Sequence, residues 1–484
     1  MNTIPWTIND ILDATDGAFL SGDMESVFSG ISIDSRQILP DHLFVAIKGE
    51  HHDGHNFIED VKTRGVRGIM IQNDKTNKMP LEKWRREGMV CVAVEDTKKA
   101  LGYLANLRRK QAKISVIAIT GSNGKTTAKE MTASILRRRF NILSTFGNLN
   151  NEVGLPLTLF RLNRAHEWAV LELGMNHSGE ISELAEICMP DIGVITNIGP
   201  SHLEGLGSIE AVRDAKGELL GKINSGGTAV LNADDPNVMQ LAHIASMKVC
   251  LYGQTEFSLI RAQSIINKGC KLSFELLLPS ESVTVNLKIP GKFMISNALA
   301  ASAVGYLLGL SAADIKTGLE AFKPVKGRMS LLKTGLGINL IDDTYNANPY
   351  SVKAAIATLR SLRGTHRTAL VLGDMLELGE YAESMHKEVG KIAYRSGVTR
   401  LFLTGDHDRD VAAGALTEGM KPENIFIGTQ EAILESLSDW MKPRDWILVK
   451  GSRSTKMENI VYGLIRKNKH HGQIRQQSNN NKQL

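Results

Sequence analysis

From residue 114 onward the chain repeats one alternation. A short apolar run is followed by a stretch with helical spacing, then by another apolar run. Runs at 114–120, 142–146, 168–174, 192–198 and 228–232 read as strands, and helices are expected at 126–139, 179–188 and 208–220. Strands that are apolar throughout are buried on both faces, as in a parallel sheet covered by helices. The alternation resumes near 327. Strands are expected at 338–342, 367–373, 400–404, 424–427 and 446–450, with helices at 351–362, 383–396, 408–417, 430–440 and 455–467. That is a second doubly wound, Rossmann-like α/β unit. Residues 249–290 differ: "KVCLYG", "CKLSFELLL" and "SVTVNLKI" read as short antiparallel strands, and helices at 294–308 and 312–322 follow.

Ahead of these lies a smaller α/β unit. "FIEDVKTRGVRGIMI" reads as helix, glycine turn and strand, and "TKKALGYLANLRRKQAK" as a helix leading onward. The expected organisation is 1–112, 113–326 and 327–468, with a polar Gln/Asn-rich tail at 469–484 too poor in apolar residues to pack. A chain of 484 residues with 42% hydrophobic and 23% charged residues can build several cores. The net charge of +5 comes without a basic stripe interleaved with aromatics, which argues against nucleic-acid binding. Cys91, Cys188, Cys250 and Cys270 form no CxxC pair, so neither a zinc site nor a disulfide framework is indicated. Scattered thiols suit a reducing compartment. No basic-then-apolar leader opens the chain, and no apolar run reaches the ~20 residues of a membrane helix, so a cytoplasmic protein is expected.

The chemistry begins at "VIAITGSNGKTTAKEM" (116–131): a buried strand, a turn of small residues, then Gly-Lys-Thr-Thr opening a helix. Gly121 and Gly124 let the backbone of Gly121–Ser122–Asn123–Gly124 turn its N–H groups toward one point. Lys125 adds a cation, the helix N-terminus its dipole, and Thr126, followed by Thr127, a hydroxyl for Mg²⁺. Ile119 stands where the longer phosphate-loop pattern has its first glycine. The plain alternative is a strand-turn-helix without a ligand.

Three further residues invite a metal. In "SIEAVRDAKGELL" (208–220) helical spacing puts Lys216 on the apolar side with Ile209, Val212 and Leu219. A buried unpaired ammonium tends to lose its proton, and the free amine can take up CO₂ as a carbamate, an oxygen ligand for Mg²⁺. The alternative is a lysine that snorkels to solvent. Glu172 closes the strand "AVLELG" and His202 follows "GVITNIGPSH". Both fall at C-terminal strand ends, where such sheets bind ligands. A structural histidine and a capping carboxylate are the alternatives. With Thr126 the set suggests two Mg²⁺ ions.

"TGSNGKTT", "GNLNNEVGLPLTL", "ELGMNHSGEI", "TNIGPSHLEGLGS" and "AKGEL" resemble the central domain of the Mur ligases. "GKFMISNALAA", "VKGRM", "DDTYNANPYS", "LGDMLELG" and "VKGSRSTKME" resemble the branch of that family that joins D-alanyl-D-alanine to UDP-N-acetylmuramoyl-tripeptide (UDP-MurNAc-tripeptide). The "D-N-P-R" block of the sister branch is absent. The resemblance covers all but the polar tail. It implies an ATP-dependent ligase, acting as a monomer, with an N-terminal UDP-sugar-peptide domain, a central ATP domain and a C-terminal dipeptide domain.

The resemblance also implies roles. Lys216 would be a carbamylated lysine, and Thr126, Glu172 and His202 would hold Mg²⁺ with it. Asn297 would lie near the ATP base, Asp343 near the ribose and Arg328 near the terminal phosphate. Lys125, Lys216, His202 and Arg328 would be catalytic. Ser35 and Arg36 would face the uridine nucleotide, and Asn148, Asn150 and Asn151 the muramoyl peptide. Tyr345, Asn346, Asn348, Ser452 and Arg453 are candidates for the dipeptide pocket or, equally, turn and cap residues. A folylpolyglutamate synthase would share the phosphate loop and lysine but not the "DSR" motif of residues 34–36. A nucleotide switch or transport ATPase would leave the third unit unexplained.

Overall fold

The computed structural model describes residues 4–466. The apolar runs have become the strands of three sheets. The central sheet has nine strands, the C-terminal sheet six and the N-terminal sheet five, and a two-stranded ribbon pairs Trp6–Thr7 with Val27–Phe28.

In the central sheet Ser115–Thr120 lies between Ile192–Ile195 and Trp168–Glu172, paired parallel to both. Ile142–Ser144 closes one edge, and Thr228–Asn232 and Lys248–Gly253 extend the other, again parallel. Helix Lys125–Leu136 follows the phosphate loop. Its expected packing residues Ala128, Met131, Ile135 and Leu136 are all fully buried. Helices Phe293–Leu307 and Ala312–Ala321 pack on it, with Ile135 against Gly305 and Gly318. Lys129 of the same helix is buried as well. It pairs with Glu130, and its Nζ donates to the Thr145 carbonyl at 2.7 Å.

The reading of residues 249–290 needs correction. Lys248–Gly253 is parallel to Thr228–Asn232, not part of an antiparallel run. A further strand, Ile260–Lys268, continues parallel beside it over two residue pairs. Only Lys271–Leu277 and Ser282–Leu287 are antiparallel additions. The cause lies outside the segment. The Asp234 carboxylate accepts the Gln254 and Thr255 N–H groups, which folds residues 254–259 into a tight link and sends the chain on in the same direction. Helices Gly154–Leu159 and Pro236–Ile244 and strand Ser330–Lys333 were also not anticipated.

The C-terminal sheet is parallel except for Ser330–Lys333 at its edge. Strand Trp446–Lys450 lies between Asn339–Asp343 and Thr368–Leu372. The last helix is formed over 458–466, after a 3₁₀ turn at Arg453–Thr455. The tail expected to be disordered lies outside the described residues. One buried apolar cluster runs from helix Lys125–Leu136 through Phe293–Leu307 into the C-terminal sheet, so the central and C-terminal domains share packing around the phosphate loop.

Candidate functional site

The strand–turn–helix forms as its residues dictate. Gly121 has φ +142° and Gly124 φ +82°, and a Cβ on either would stand within 2.2 Å of a neighbouring side-chain oxygen, Thr196 Oγ1 or Asn297 Oδ1. The turn is pinned from below by the loop after strand Ile192–Ile195. Asn197 accepts the Asn123 N–H through Oδ1 (2.9 Å) and donates to its carbonyl through Nδ2 (2.8 Å), while Thr196 Oγ1 donates to the same carbonyl. Ser122 Oγ bridges Gly199 in the same way. The first helical N–H groups, Lys125 to Thr127, have no intrahelical partner by position. These residues line an open cleft.

The opposite wall belongs to the C-terminal domain and its link. Gly327, Arg328, Asp343, Tyr345, Asn346, Asn348 and Lys450 line it, and Phe293, Met294, Asn297 and Tyr350 form its less polar end. The structure therefore gathers Asn297, Arg328 and Asp343 around the phosphate loop. Tyr345, Asn346 and Asn348, read from sequence as dipeptide candidates, lie in this same cleft. Asn348 Nδ2 donates to Asn123 Oδ1 at 2.9 Å, while its Oδ1 caps helix Pro349–Leu362 by accepting the Ser351 N–H.

Lys125 Nζ donates to the Gly121 carbonyl at 2.7 Å. Burial lowers its pKa and the Arg328 charge adds to this, while Glu172 and Glu377 oppose it. Lys216 sits in helix Ile209–Gly217, whose cap is Ser208 Oγ accepting the Ala211 N–H. It is 1% exposed, so it does not snorkel, and Gly217 lets Leu241 approach its helix closely. Burial, and then the nearby Lys125 charge, push its ammonium well below the ordinary lysine range. Glu172 is buried: Asn150 Nδ2 donates to Oε1 at 2.9 Å, and Oε2 has no partner among the described residues. Lys125 thus senses Glu172, Arg328 and Glu377, and Lys216 in turn senses Lys125.

His202, at φ +55°, places Nδ1 2.6 Å from Glu377 Oε2. That is ion-pair range, with an approach angle outside hydrogen-bond geometry. The remaining candidates stand apart. Asn151 caps helix Gly154–Leu159 by accepting the Gly154 N–H, and Asn148 is exposed. Arg36 makes a two-pronged pair with Asp34 on the N-terminal domain, beside partly exposed Ser35. Ser452 Oγ accepts the Leu376 N–H, and Arg453 pairs with Glu458. Sequence reasoning missed Thr196, Asn197, Tyr350, Glu377 and Lys450. Tyr350 and Glu377 look like ordinary loop residues in the sequence, while Thr196 and Asn197 fall at the end of one expected strand and Lys450 ends another.

Comparison with known proteins agrees with this arrangement. Residues 27–109 match the model for the Mur ligase family catalytic domain, 119–305 that for the Mur ligase middle domain, and 327–453 that for the Mur ligase glutamate ligase domain. The UDP-N-acetylmuramoyl-tripeptide–D-alanyl-D-alanine ligase of Bacillus subtilis is 35% identical over 460 residues, covering 95% of this chain and 98% of its own. A crystal structure of MurF from Acinetobacter baumannii superimposes with a TM-score of 0.88 at 32% identity, covering 96% of this chain and 100% of its own. The MurF ligase of Thermotoga maritima, solved in complex with ADP, superimposes with a TM-score of 0.80 at 26% identity, over 91% and 98% of the two chains. By its three α/β domains and by sequence along almost its whole length, this chain belongs to the Mur ligase family.

Proposed function

We propose that this chain joins D-alanyl-D-alanine to UDP-MurNAc-tripeptide at the expense of ATP, releasing ADP and phosphate in peptidoglycan precursor synthesis in the cytoplasm. The observation that carries this reading is the lining of one cleft by Lys125, Thr126 and Asn297 of the central domain together with Arg328 and Asp343 of the C-terminal side. A carboxylate does not condense with an amine in water, because its carbon is shielded and oxide is a poor leaving group. Attack of the acceptor carboxylate on the γ-phosphorus breaks the β,γ bridge, releases ADP and leaves an acyl phosphate. The dipeptide amine then adds to the acyl carbon, loses a proton, and phosphate departs as the amide forms.

The chain's own groups serve the first step most directly. The free N–H groups of the helix start and Lys125 hold the β- and γ-phosphates, and Arg328 meets charge that builds on the terminal phosphate. Asn297 is assigned to the base and Asp343 to the ribose. We place Tyr345, Asn346 and Asn348 at the junction of nucleotide and dipeptide, with Ser452 and Arg453 further toward the dipeptide. Ser35 and Arg36 are assigned to the uridine nucleotide, and Asn148, Asn150 and Asn151 to the peptide. Closure of the domains over the cleft excludes water from the acyl phosphate.

The oxygen donors present suit a hard cation: Glu172 Oε2 is buried without a partner among the described residues, and Thr126 lines the cleft. Thr126, Glu172, His202 and a carbamate on Lys216 would hold two Mg²⁺ ions. When bound, Mg²⁺ neutralises phosphate charge as two anions approach. The test is ADP release measured with each substrate omitted in turn. Release that requires UDP-MurNAc-tripeptide and D-Ala-D-Ala together supports the reading, and release indifferent to either overturns it.

A further inference from the structure

Lys450 is a buried cation that the reaction scheme leaves unused. It ends strand Trp446–Lys450 in register with Asp343, is 2% exposed, and lines the nucleotide cleft. Its Nζ donates to Asp343 Oδ2 at 2.6 Å and to the Asn346 carbonyl at 2.8 Å. Asp343 Oδ1 accepts the Met329 N–H at 3.0 Å, and the Tyr345 N–H donates to the Gly327 carbonyl at 3.0 Å. The link 327–329 is therefore fastened at both ends to the turn 343–346. Arg328 lies between the two fastenings. Its guanidinium carbon is 4.1 Å from the Tyr345 ring centroid, and its Nε is buried without a partner among the described residues.

The link is also strained. Met329 has φ +51°, a conformation that a side chain of this size adopts only when its surroundings enforce it. The enforcing contact is the bond from its N–H to Asp343, and the Asp343 carboxylate is in turn held by Lys450. We propose that Lys450 is a positioning residue for Arg328: through Asp343 and Asn346 it sets the turn that holds the strained link, and so aims the guanidinium at the phosphate end of the cleft. An apolar pair of equal volume would fill the space at similar stability. It would not hold the Met329 N–H.

This inference rests on the ligase reading for its kinetic arm alone. The experiment is a double-mutant cycle of Lys450→Met and Arg328→Ala. Two quantities are read: kcat/KM for ATP from substrate-dependent ADP release, and affinity for the β,γ-imido analogue of ATP by calorimetry. Misplacing the guanidinium is expected to lower kcat/KM about 100-fold in Lys450→Met. In the Arg328→Ala background the same change should cost less than about threefold. Losses that multiply, or a Lys450→Met enzyme within about threefold of the parent, overturn the proposal. A merely structural role would act equally in both backgrounds. Should Lys450→Met not fold, Lys450→Gln, which keeps a donor in the buried site but not the charge, takes its place under the same criteria. If the parent releases no ADP with both substrates, the proposed function fails, while the calorimetric cycle still decides the role of Lys450.

Discussion

His202 of the central domain and Glu377 of the C-terminal domain face each other with 2.6 Å between Nδ1 and Oε2, and both residues hold left-handed backbone conformations. The contact is reinforced by the Glu204 N–H donating to the Glu377 carbonyl at 3.1 Å. The pair fixes the ring orientation of a proposed metal ligand only when the two domains are together. Glu377 is half exposed, so the pair adds little to stability. Removing the partner of a metal-bound imidazole typically costs about 10–100-fold in affinity or activity. Glu377→Ala is therefore expected to raise the Mg²⁺ concentration for half-maximal activity by about tenfold, with the melting temperature nearly unchanged. A lowered melting temperature with unaltered Mg²⁺ dependence would reduce the pair to a docking contact.

Lys216→Ala should abolish most activity, and small added carboxylates should restore part of it. The same lysine should give a carbamate resonance when the protein is exposed to ¹³C-bicarbonate, absent in the variant. The basis is the burial and the Lys125 charge that favour the neutral amine. Full activity of the alanine variant would remove Lys216 from the mechanism.

Gly124→Ala forces a side chain into a φ of +82° and against Asn297 Oδ1. Strain of about 1–3 kcal/mol is expected, so ADP should bind roughly 5- to 150-fold more weakly, measured by calorimetry. An unchanged affinity would mean that the turn does not cradle the nucleotide.

The N-terminal domain carries a pH-dependent element of its own. Burial pushes the Asp53 carboxyl up, but bonds from the His55 side chain and N–H and from Lys75 outweigh it and hold the pKa at about 2 against an ordinary 3.8. The folded value is depressed, so the stabilisation is complete above about pH 4 and is lost as pH falls toward 2. Asp53→Asn should destabilise this domain by about 1–2 kcal/mol at pH 7, the lower end reflecting residual solvent contact, and the difference should vanish near pH 2. Chemical denaturation at the two pH values checks this; an equal deficit at both would place the loss elsewhere.

Much of the architecture was legible because apolar runs and helical spacing are local signals. The strand Ser115–Thr120, the loop at Gly121–Gly124 and the helix after it carry their own turn chemistry and apolar faces, as do the strands and helices of the C-terminal sheet. Lys216 could be singled out because its neighbours at helical spacing are apolar. The helix Pro236–Ile244 escaped because its main signal is the capping Asp235 before Pro236. The parallel strand Ile260–Lys268 escaped because the link leading into it is held by Asp234, some twenty residues earlier in the chain.

Residue order alone pointed to most of the strands and helices and to a turn shaped for phosphate, since backbone preference and burial act over a few neighbours. Only the tertiary structure decided that Lys450 grips Asp343, that Glu377 reaches His202, and that Glu172 keeps one oxygen free. Those pairings join residues 22 to 175 positions apart. Their energies depend on distance and desolvation in space, which no stretch of sequence encodes by itself.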